Sequence, residues 1–126
     1  VGMDAQSAGG VGEIGNLELA AFSARYRFFF NPIRWTSLGL AIVEAMTIGM
    51  PIVGLATTEL ATVIRNGENG FVHTDTHALI DAMQQMLRDP AEARRLGEGA
   101  RRTALERFHI ARFARDWDEA LRHVCS

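Results

Sequence analysis

The sequence predicts an α/β fold, a short parallel sheet flanked by helices and followed by a helical C-terminal end. Three observations carry that expectation. Apolar runs of strand length, "YRFFFNP" at 26–32, "PIVGL" at 51–55 and "FVH" at 71–73, alternate with stretches of helical periodicity. Each connection is long enough to hold a helix, as parallel pairing demands. From about Asp75 onward the pattern is helical throughout. Strand–helix–strand–helix–strand at this spacing implies parallel strands joined by right-handed crossovers. Three strands are few for a doubly wound sheet, so the architecture reads as half of one, Rossmann-like, with helices covering it.

Residues 1–15, "VGMDAQSAGGVGEIG", are rich in glycine and small side chains and form an irregular lead-in. The α/β core then spans 16–74 and the C-terminal helices 75–126, together one partial domain. "NLELAAFSAR" at 16–25 opens on Asn16, a good N-cap, and aligns Leu17, Ala20, Ala21 and Ala24 on one helical face. The three consecutive phenylalanines of "YRFFFNP" suit a strand buried on both faces and stopped by Pro32. Thr36 or Ser37 caps a helix over about 38–48, which Gly49 and Pro51 end. "TELATVIR" is a brief helix and "NGENG" a turn. "ALIDAMQQMLRD" is amphipathic, Pro90 opens "PAEARRLGEGARRTALERF", and "IARFARDWDEALRHV" closes the pattern.

Composition bounds the function classes. A 126-residue chain with 48% hydrophobic and 22% charged residues matches an ordinary globular domain. The net charge of −2 gives no basic field for nucleic acid or anionic lipid. All 13 basic residues are arginine, whose forks suit phosphates and carboxylates. Cys125 is the sole cysteine and has no partner for an internal disulfide, so a reducing, cytoplasmic setting is expected. Glu44, Thr47, Gly49 and Pro51 interrupt the longest apolar stretch, which excludes it as a membrane span. The first residue is Val1, as expected of a piece cut from a longer polypeptide.

The informative stretch is "TSLGLAIVEAMTIGMPIVG" at 36–54, in which Glu44 is the only charged side chain. A helix apolar all round is expected between the sheet and a second layer. An ionised carboxylate there costs several kcal/mol unless it is paired or hydrogen-bonded. Glu44 therefore either pairs with an arginine such as Arg34 or lies at the edge of a cleft. Ser37 precedes Glu44 by seven residues, about two helical turns or ~10 Å along one face. In parallel α/β sheets ligands bind at the carboxyl ends of the strands, near helix N-termini. The N–H groups of residues 38–40 would face that crevice, and Gly39 would let an anion approach the backbone. An anion cradle with a carboxylate further along fits a diphosphate joined to a hydroxylated sugar.

These residues also carry a family resemblance. The run from "FFFNPIRWTSLGLAIVEAMTIGMPIVGLATTELATVI" through "NGENG" to "RDPAEARRLGEGAR" resembles the C-terminal, donor-binding domain of GT-B fold glycosyltransferases of the retaining group 1 (family 4) type. That group includes sucrose-phosphate synthases and bacterial lipopolysaccharide transferases. It shows a proline-ended strand, Glu–Gly–Phe–Gly, a helix with a second Glu before Ala–Met, Gly-x-Pro-x-Val, Glu–Val–Ile and an Asn–Gly-x-x-Gly turn. The likeness runs over about residues 26–124.

The resemblance implies roles position by position. Glu44 matches the second Glu, which receives the nucleotide ribose. The amides of Leu38, Gly39 and Leu40 would hold the diphosphate, Pro32 would end the strand below, and Arg34 and Ser37 would join the donor site. Thr36 stands where the first Glu contacts the transferred sugar. Ser37 and Leu38 replace Gly–Phe, and "ATTELATVI" lacks the family's Gly–Gly. The implied reaction moves a sugar from a nucleotide diphosphate donor with retention, in glycan or lipopolysaccharide biosynthesis. It uses neither cofactor nor metal, because helix N-termini and basic groups neutralise the leaving diphosphate. The implied partners are the nucleotide sugar and an N-terminal acceptor domain, without which this chain would be inactive. The full-length enzyme would be cytoplasmic or peripheral to a membrane.

A reading from another class is a non-catalytic α/β interaction module that keeps the fold without the first Glu. Other signals are weaker. Gly10-x-Gly12-x-x-Gly15 has the letters of a dinucleotide fingerprint but neither a preceding strand nor a following acid, and reads as a flexible loop, with a glycine loop near the donor phosphates as the alternative. His73, His77, His109 and His123 do not match metal-ligand spacing. The arginines between Arg94 and Arg115 alternate with acids, Glu98–Arg102 among them, and read as a solvated helix face. Phe108, Phe113, Trp117 and Leu121 form a stripe expected to dock the last helix. A truncated sheet with an open edge implies self-association, and so a homo-oligomer.

Overall fold

In a computed structural model the structure describes residues 5–125. After a 3-10 turn at Ala5–Ala8 come α1 (Asn16–Ser23), β1 (Phe29–Asn31), α2 (Leu40–Ile48), β2 (Ile52–Leu55), α3 (Leu60–Val63) and β3 (Gly70–His73). Three helices follow, α4 (Thr76–Arg88), α5 (Pro90–Arg107) and α6 (Ile110–Val124). The strands form one parallel sheet in the order β1-β2-β3. Phe29 stands beside Ile52, and Ile52 beside Gly70.

The period-two alternation of strand side chains divides the core between the two faces of the sheet. On one face Phe29, Ile52 and Val72 meet Ile42, Ala45 and Met46 of α2, Leu60 and Val63 of α3, and Ala100 and Ala104 of α5. On the other, Phe28, Val53, Leu55 and Phe71 meet Leu79 and Met86 of α4 with Ala93 and Leu96 of α5. β2 is buried at every position, as befits the central strand of a parallel sheet. α5 serves both faces because it passes over the end of α2. There Gly97 admits the Gly49 carbonyl, whose residue caps α2 in the left-handed conformation at φ 93°.

Side-chain caps start the later helices where the sequence placed the junctions. Asp75 accepts from the His77 N–H, and Asp89 accepts from Ala91 and Glu92 with Pro90 in the first turn. Buried Asn69 ties the β3 approach to α5. Its amide donates to the Val63 carbonyl and to Thr103 Oγ1, and its oxygen accepts from the Arg65 N–H.

Five expectations are corrected. Asn16 does not cap α1; Gly15 holds the cap position without a side-chain bond. The expected α1 face is also rotated: Leu17 is 99% exposed, while Leu19, Phe22 and Ser23 are half-buried toward α2. β1 is not buried on both faces, because it is an edge strand and α4 and α5 pack on β2 and β3 instead; Phe30 is left exposed. The aromatic stripe does not dock α6 within this chain: Phe108 packs on the core, but Phe113, Trp117 and Leu121 are exposed and no residue of α6 is buried. Finally, Glu98–Arg102 is not among the ion pairs of the described residues. The helix pairs formed are Glu92–Arg95 on α5, and Arg112–Asp116, Arg115–Asp116 and Arg122–Asp118 on α6.

Candidate functional site

Glu44 lies on α2, and the expectation that this helix is buried all round is corrected. Ile42, Ala45 and Met46 face the core, whereas Leu40 is 80% exposed and Ala41, Glu44 and Thr47 are exposed. An apolar composition concealed a two-sided helix because its outer side carries Leu and Ala rather than charges. Among the described residues no arginine lies within ion-pair distance of Glu44, so the Arg34 pairing is not formed. Its carboxylate needs no buried partner because solvent reaches it.

Glu44 is the only charged residue lining a groove of ≈ 550 Å³ between α1 and α2. The α2 wall is Ala41, Ala45 and Ile48, and the α1 side contributes Leu19, Phe22 and Tyr26. Phe22 and Tyr26 contact each other with ring centroids 5.3 Å apart, and the Arg25 guanidinium lies 5.6 Å from the Phe22 ring centre. Gly10 and Val11 close the groove, so the glycine-rich loop lies beside the carboxylate. The aromatic wall and the 10–11 loop were not legible as site residues. The one sequence signal was the glycine-rich stretch, which reads from its letters only as a loop.

The start of α2 also differs from expectation. Neither Thr36 nor Ser37 caps it; Gly39 is the N-cap, extended at φ −74° and ψ 150°, and the helix begins at Leu40. Leu38 and Gly39 are therefore not helical, and Ser37 does not share a helix with Glu44. Among the described residues the Leu40 and Ala41 N–H groups carry no backbone partner, while Ile42 donates to the Gly39 carbonyl. No acid occupies the first turn of α2, so the positive end of its dipole is not neutralised from within the helix. Nothing stands within 4 Å of where a Gly39 side chain would begin, leaving the backbone open to an anion.

The remaining candidate residues gather at the carboxyl end of the sheet. Pro32 directly follows β1. Arg34 and Trp35 line a second pocket of ≈ 400 Å³ with Leu55, Thr57, Thr58 and Thr74. The two pockets share no lining residue, so Arg34 and Glu44 are not brought together. Thr57 Oγ1 donates to the Ile33 carbonyl at 3.4 Å and Thr58 Oγ1 to the Thr36 carbonyl, tying the β1–α2 loop to the end of β2. Leu38 packs on the core below the same loop.

The Glu92 carboxyl is held below its ordinary range by its hydrogen bond to Arg95, whose own pKa is raised by the same contact. His73 Nδ1 accepts from the Asp75 N–H and His109 Nδ1 from the Ala111 N–H, so both act as local caps. Among the described residues no three His, Cys, Asp or Glu side chains converge as metal ligands. No helix there is long and apolar enough to cross a membrane.

Comparison with known proteins agrees with this fold. The chain is 31% identical over 84 residues to N-acetyl-alpha-D-glucosaminyl L-malate synthase of Bacillus anthracis, an alignment covering 65% of this chain and 22% of that protein. Among solved structures, sucrose-phosphate synthase of Thermosynechococcus elongatus superposes with a TM-score of 0.81 at 27% identity, over 95% of this chain and 32% of that one. Anabaena HepE, in complex with UDP-glucose, shares the fold with a TM-score of 0.75 at 20% identity, over 90% of this chain and 31% of that one. The chain thus spans about a fifth to a third of the length of these proteins. The family model described as glycosyl transferases group 1 matches residues 4–89, and the chain belongs to that family.

Proposed function

We propose that this chain is the donor-binding part of a glycosyltransferase that moves a sugar from a nucleotide diphosphate to an acceptor with retention of configuration. The observation that carries the proposal is Glu44, an exposed, unpaired carboxylate in a groove with an aromatic wall, on a helix whose N-terminus is open. In this reading Phe22 and Tyr26 flank the base, since every nucleobase offers a face for stacking. Glu44 accepts hydrogen bonds from the ribose hydroxyls, a charge-assisted geometry stronger than a neutral one. The Leu40 and Ala41 N–H groups, with the exposed backbone at Gly39, receive the diphosphate. As the diphosphate leaves, its growing charge is stabilised by those fixed donors, without a metal. Anabaena HepE has been solved in complex with UDP and with UDP-glucose, which supports a uridine nucleotide as the first ligand to test.

Thr36 supports a second reading. A hydroxyl in place of the family's first Glu carries no charge to oppose a developing oxocarbenium centre, as a binding module without catalysis would allow. Both readings that retain the donor site predict nucleotide binding, and a pure interaction module predicts none. The test is co-crystallisation with UDP. Density beside Glu44, with the diphosphate at Leu40 and Ala41, supports the donor-site reading; a UDP-saturated crystal with that groove empty refutes it.

A further inference from the structure

The sequence places the start of α2 at Thr36 or Ser37, whereas the structure places it at Leu40, behind Gly39. With Thr36 as the cap, its carbonyl would accept the first helical bond, from the Leu40 N–H four residues on. That carbonyl is instead taken by Thr58 Oγ1, from the loop after β2. Its neighbour Thr57 takes the Ile33 carbonyl at 3.4 Å. Among the described residues these are the only hydrogen bonds that tie residues 32–38 to another element.

The loop that makes them is fixed to the sheet. The Ala56 N–H donates to the His73 carbonyl at 3.1 Å and the Thr57 N–H to the carbonyl of buried Leu55 at 2.8 Å. Thr58 makes its bond from φ 46°, the one positive φ among the described non-glycine residues. A β-branched residue rarely adopts that conformation, which persists only where the surroundings enforce it. The stretch "ATTELATVI" lacks the family's Gly–Gly, so a backbone conformation suited to glycine is kept here by a residue that carries a hydroxyl.

We propose that Thr58 is a positioning residue that fixes where α2 begins. By holding the Thr36 carbonyl it keeps residues 37–39 out of the helix and leaves the Leu40 and Ala41 N–H groups without backbone partners. Freed of that tether, α2 winds one turn further. The Thr36 carbonyl then accepts from Leu40 and the Ser37 carbonyl from Ala41, and neither N–H remains for a ligand. Donors already held open bind an anion without first breaking helical bonds. The inference rests on the donor-site reading only for the anion that these donors serve. Glu44 stands in a separate pocket that neither Thr57 nor Thr58 lines.

Amide NMR of this chain with inorganic pyrophosphate and with uridine tests the assignment, since each probe carries one part of the nucleotide's chemistry. In the wild type, pyrophosphate is expected to shift the Leu40 and Ala41 N–H resonances saturably. Thr58→Gly adopts the left-handed conformation without strain, so it removes the hydroxyl and keeps the loop. It is expected to slow solvent exchange of the Leu40 and Ala41 amides and to weaken pyrophosphate about three- to tenfold, with uridine unchanged. Thr58→Ser keeps the hydroxyl and restores both values. Trp117→Phe, on the exposed face of α6, leaves Trp35 as the only indole, so its fluorescence anisotropy follows the loop in the same variants. The positioning role is overturned if pyrophosphate leaves the two amides unmoved, or if Thr58→Gly keeps either wild-type value. It is also overturned if Thr58→Ser fails to restore them, or if uridine weakens as much as pyrophosphate, which would mark a general disruption. If pyrophosphate responds as expected and uridine does not bind, the ribose reading at Glu44 falls and the role of Thr58 stands.

Discussion

Gly97→Ala is expected to destabilise this chain even though it places a better helix former inside α5. A helical Gly→Ala exchange by itself contributes about 0.8–1.0 kcal/mol of stability. Here the added Cβ would lie 2.0 Å from the Gly49 carbonyl oxygen and 3.4 Å from Pro51 Cδ. Ordinary C···O contacts are about 3.3–3.6 Å, so α5 and the end of α2 must part by about 1.3 Å. The obstructing atom is backbone in a left-handed cap and cannot rotate away as a side chain would. Overpacking of this kind costs about 1–3 kcal/mol, occasionally more. Taking the upper value and subtracting the propensity gain leaves about 2 kcal/mol of net loss, or about 8 °C in melting temperature for a domain of this size. Urea unfolding followed by far-UV circular dichroism reads the change directly. Glu98→Ala, one residue along on the exposed side of α5, reports propensity alone and stays within about 0.5 kcal/mol of wild type. A Gly97→Ala protein as stable as Glu98→Ala would refute the close-approach argument.

Asn69→Ala removes three hydrogen bonds at a buried site and should cost about 3 kcal/mol in the same urea assay, at roughly 1 kcal/mol each. A loss below that of one ordinary bond would show that water replaces the amide. The Glu92 carboxyl, depressed by Arg95, favours the folded state above its unfolded pKa, and that contribution fades as pH falls through the lower folded value. Arg95→Ala should return Glu92 to its ordinary range in a carbon-13 carboxyl titration; an unchanged midpoint would exclude the ion pair as the cause. Thr58→Gly relieves about 1 kcal/mol of backbone strain and loses a bond of similar worth, so stability changes little. Fluorescence anisotropy of Trp35, read with Trp117→Phe, should nonetheless fall, and an unaltered value would mean the hydroxyl does not hold the loop. A coupled assay for released nucleoside diphosphate should find no turnover by this chain, and sustained turnover would contradict its assignment as a donor-binding part.

The sheet was legible because three short apolar runs were separated by helical spacings; β1 and β2 lie inside their runs, and β3 begins one residue before its own, at Gly70. Asp75 and Pro90 marked helix starts correctly because cap chemistry is local, whereas the Asp89 cap was not read. What was illegible depends on partners distant in sequence. Three phenylalanines read as doubly buried, yet Phe30 is exposed because no helix crosses that part of an edge strand. The aromatic stripe of α6 marked an apolar face but not what it packs against, and among the described residues no side chain of α6 is buried. Glu44 was identifiable as an anomaly of charge in an apolar run. Its groove was not, since Phe22 and Tyr26 reach it only through the packing of α1 on α2. The resemblance assigned the amides of Leu38, Gly39 and Leu40 to the diphosphate; with Gly39 extended, the first helical N–H groups are those of Leu40 and Ala41.

The central claim is that the solvent-facing acid on α2 holds a nucleotide through its ribose. Isothermal titration calorimetry of UDP against wild type and Glu44→Ala tests it most directly, because removing an exposed side chain leaves the fold intact. Losing hydrogen bonds from two hydroxyls to one carboxylate, at about 1.5–3 kcal/mol for a charged partner, predicts at least a tenfold weaker affinity. Equal affinity for the two proteins would contradict the account, wherever else on the surface UDP is found.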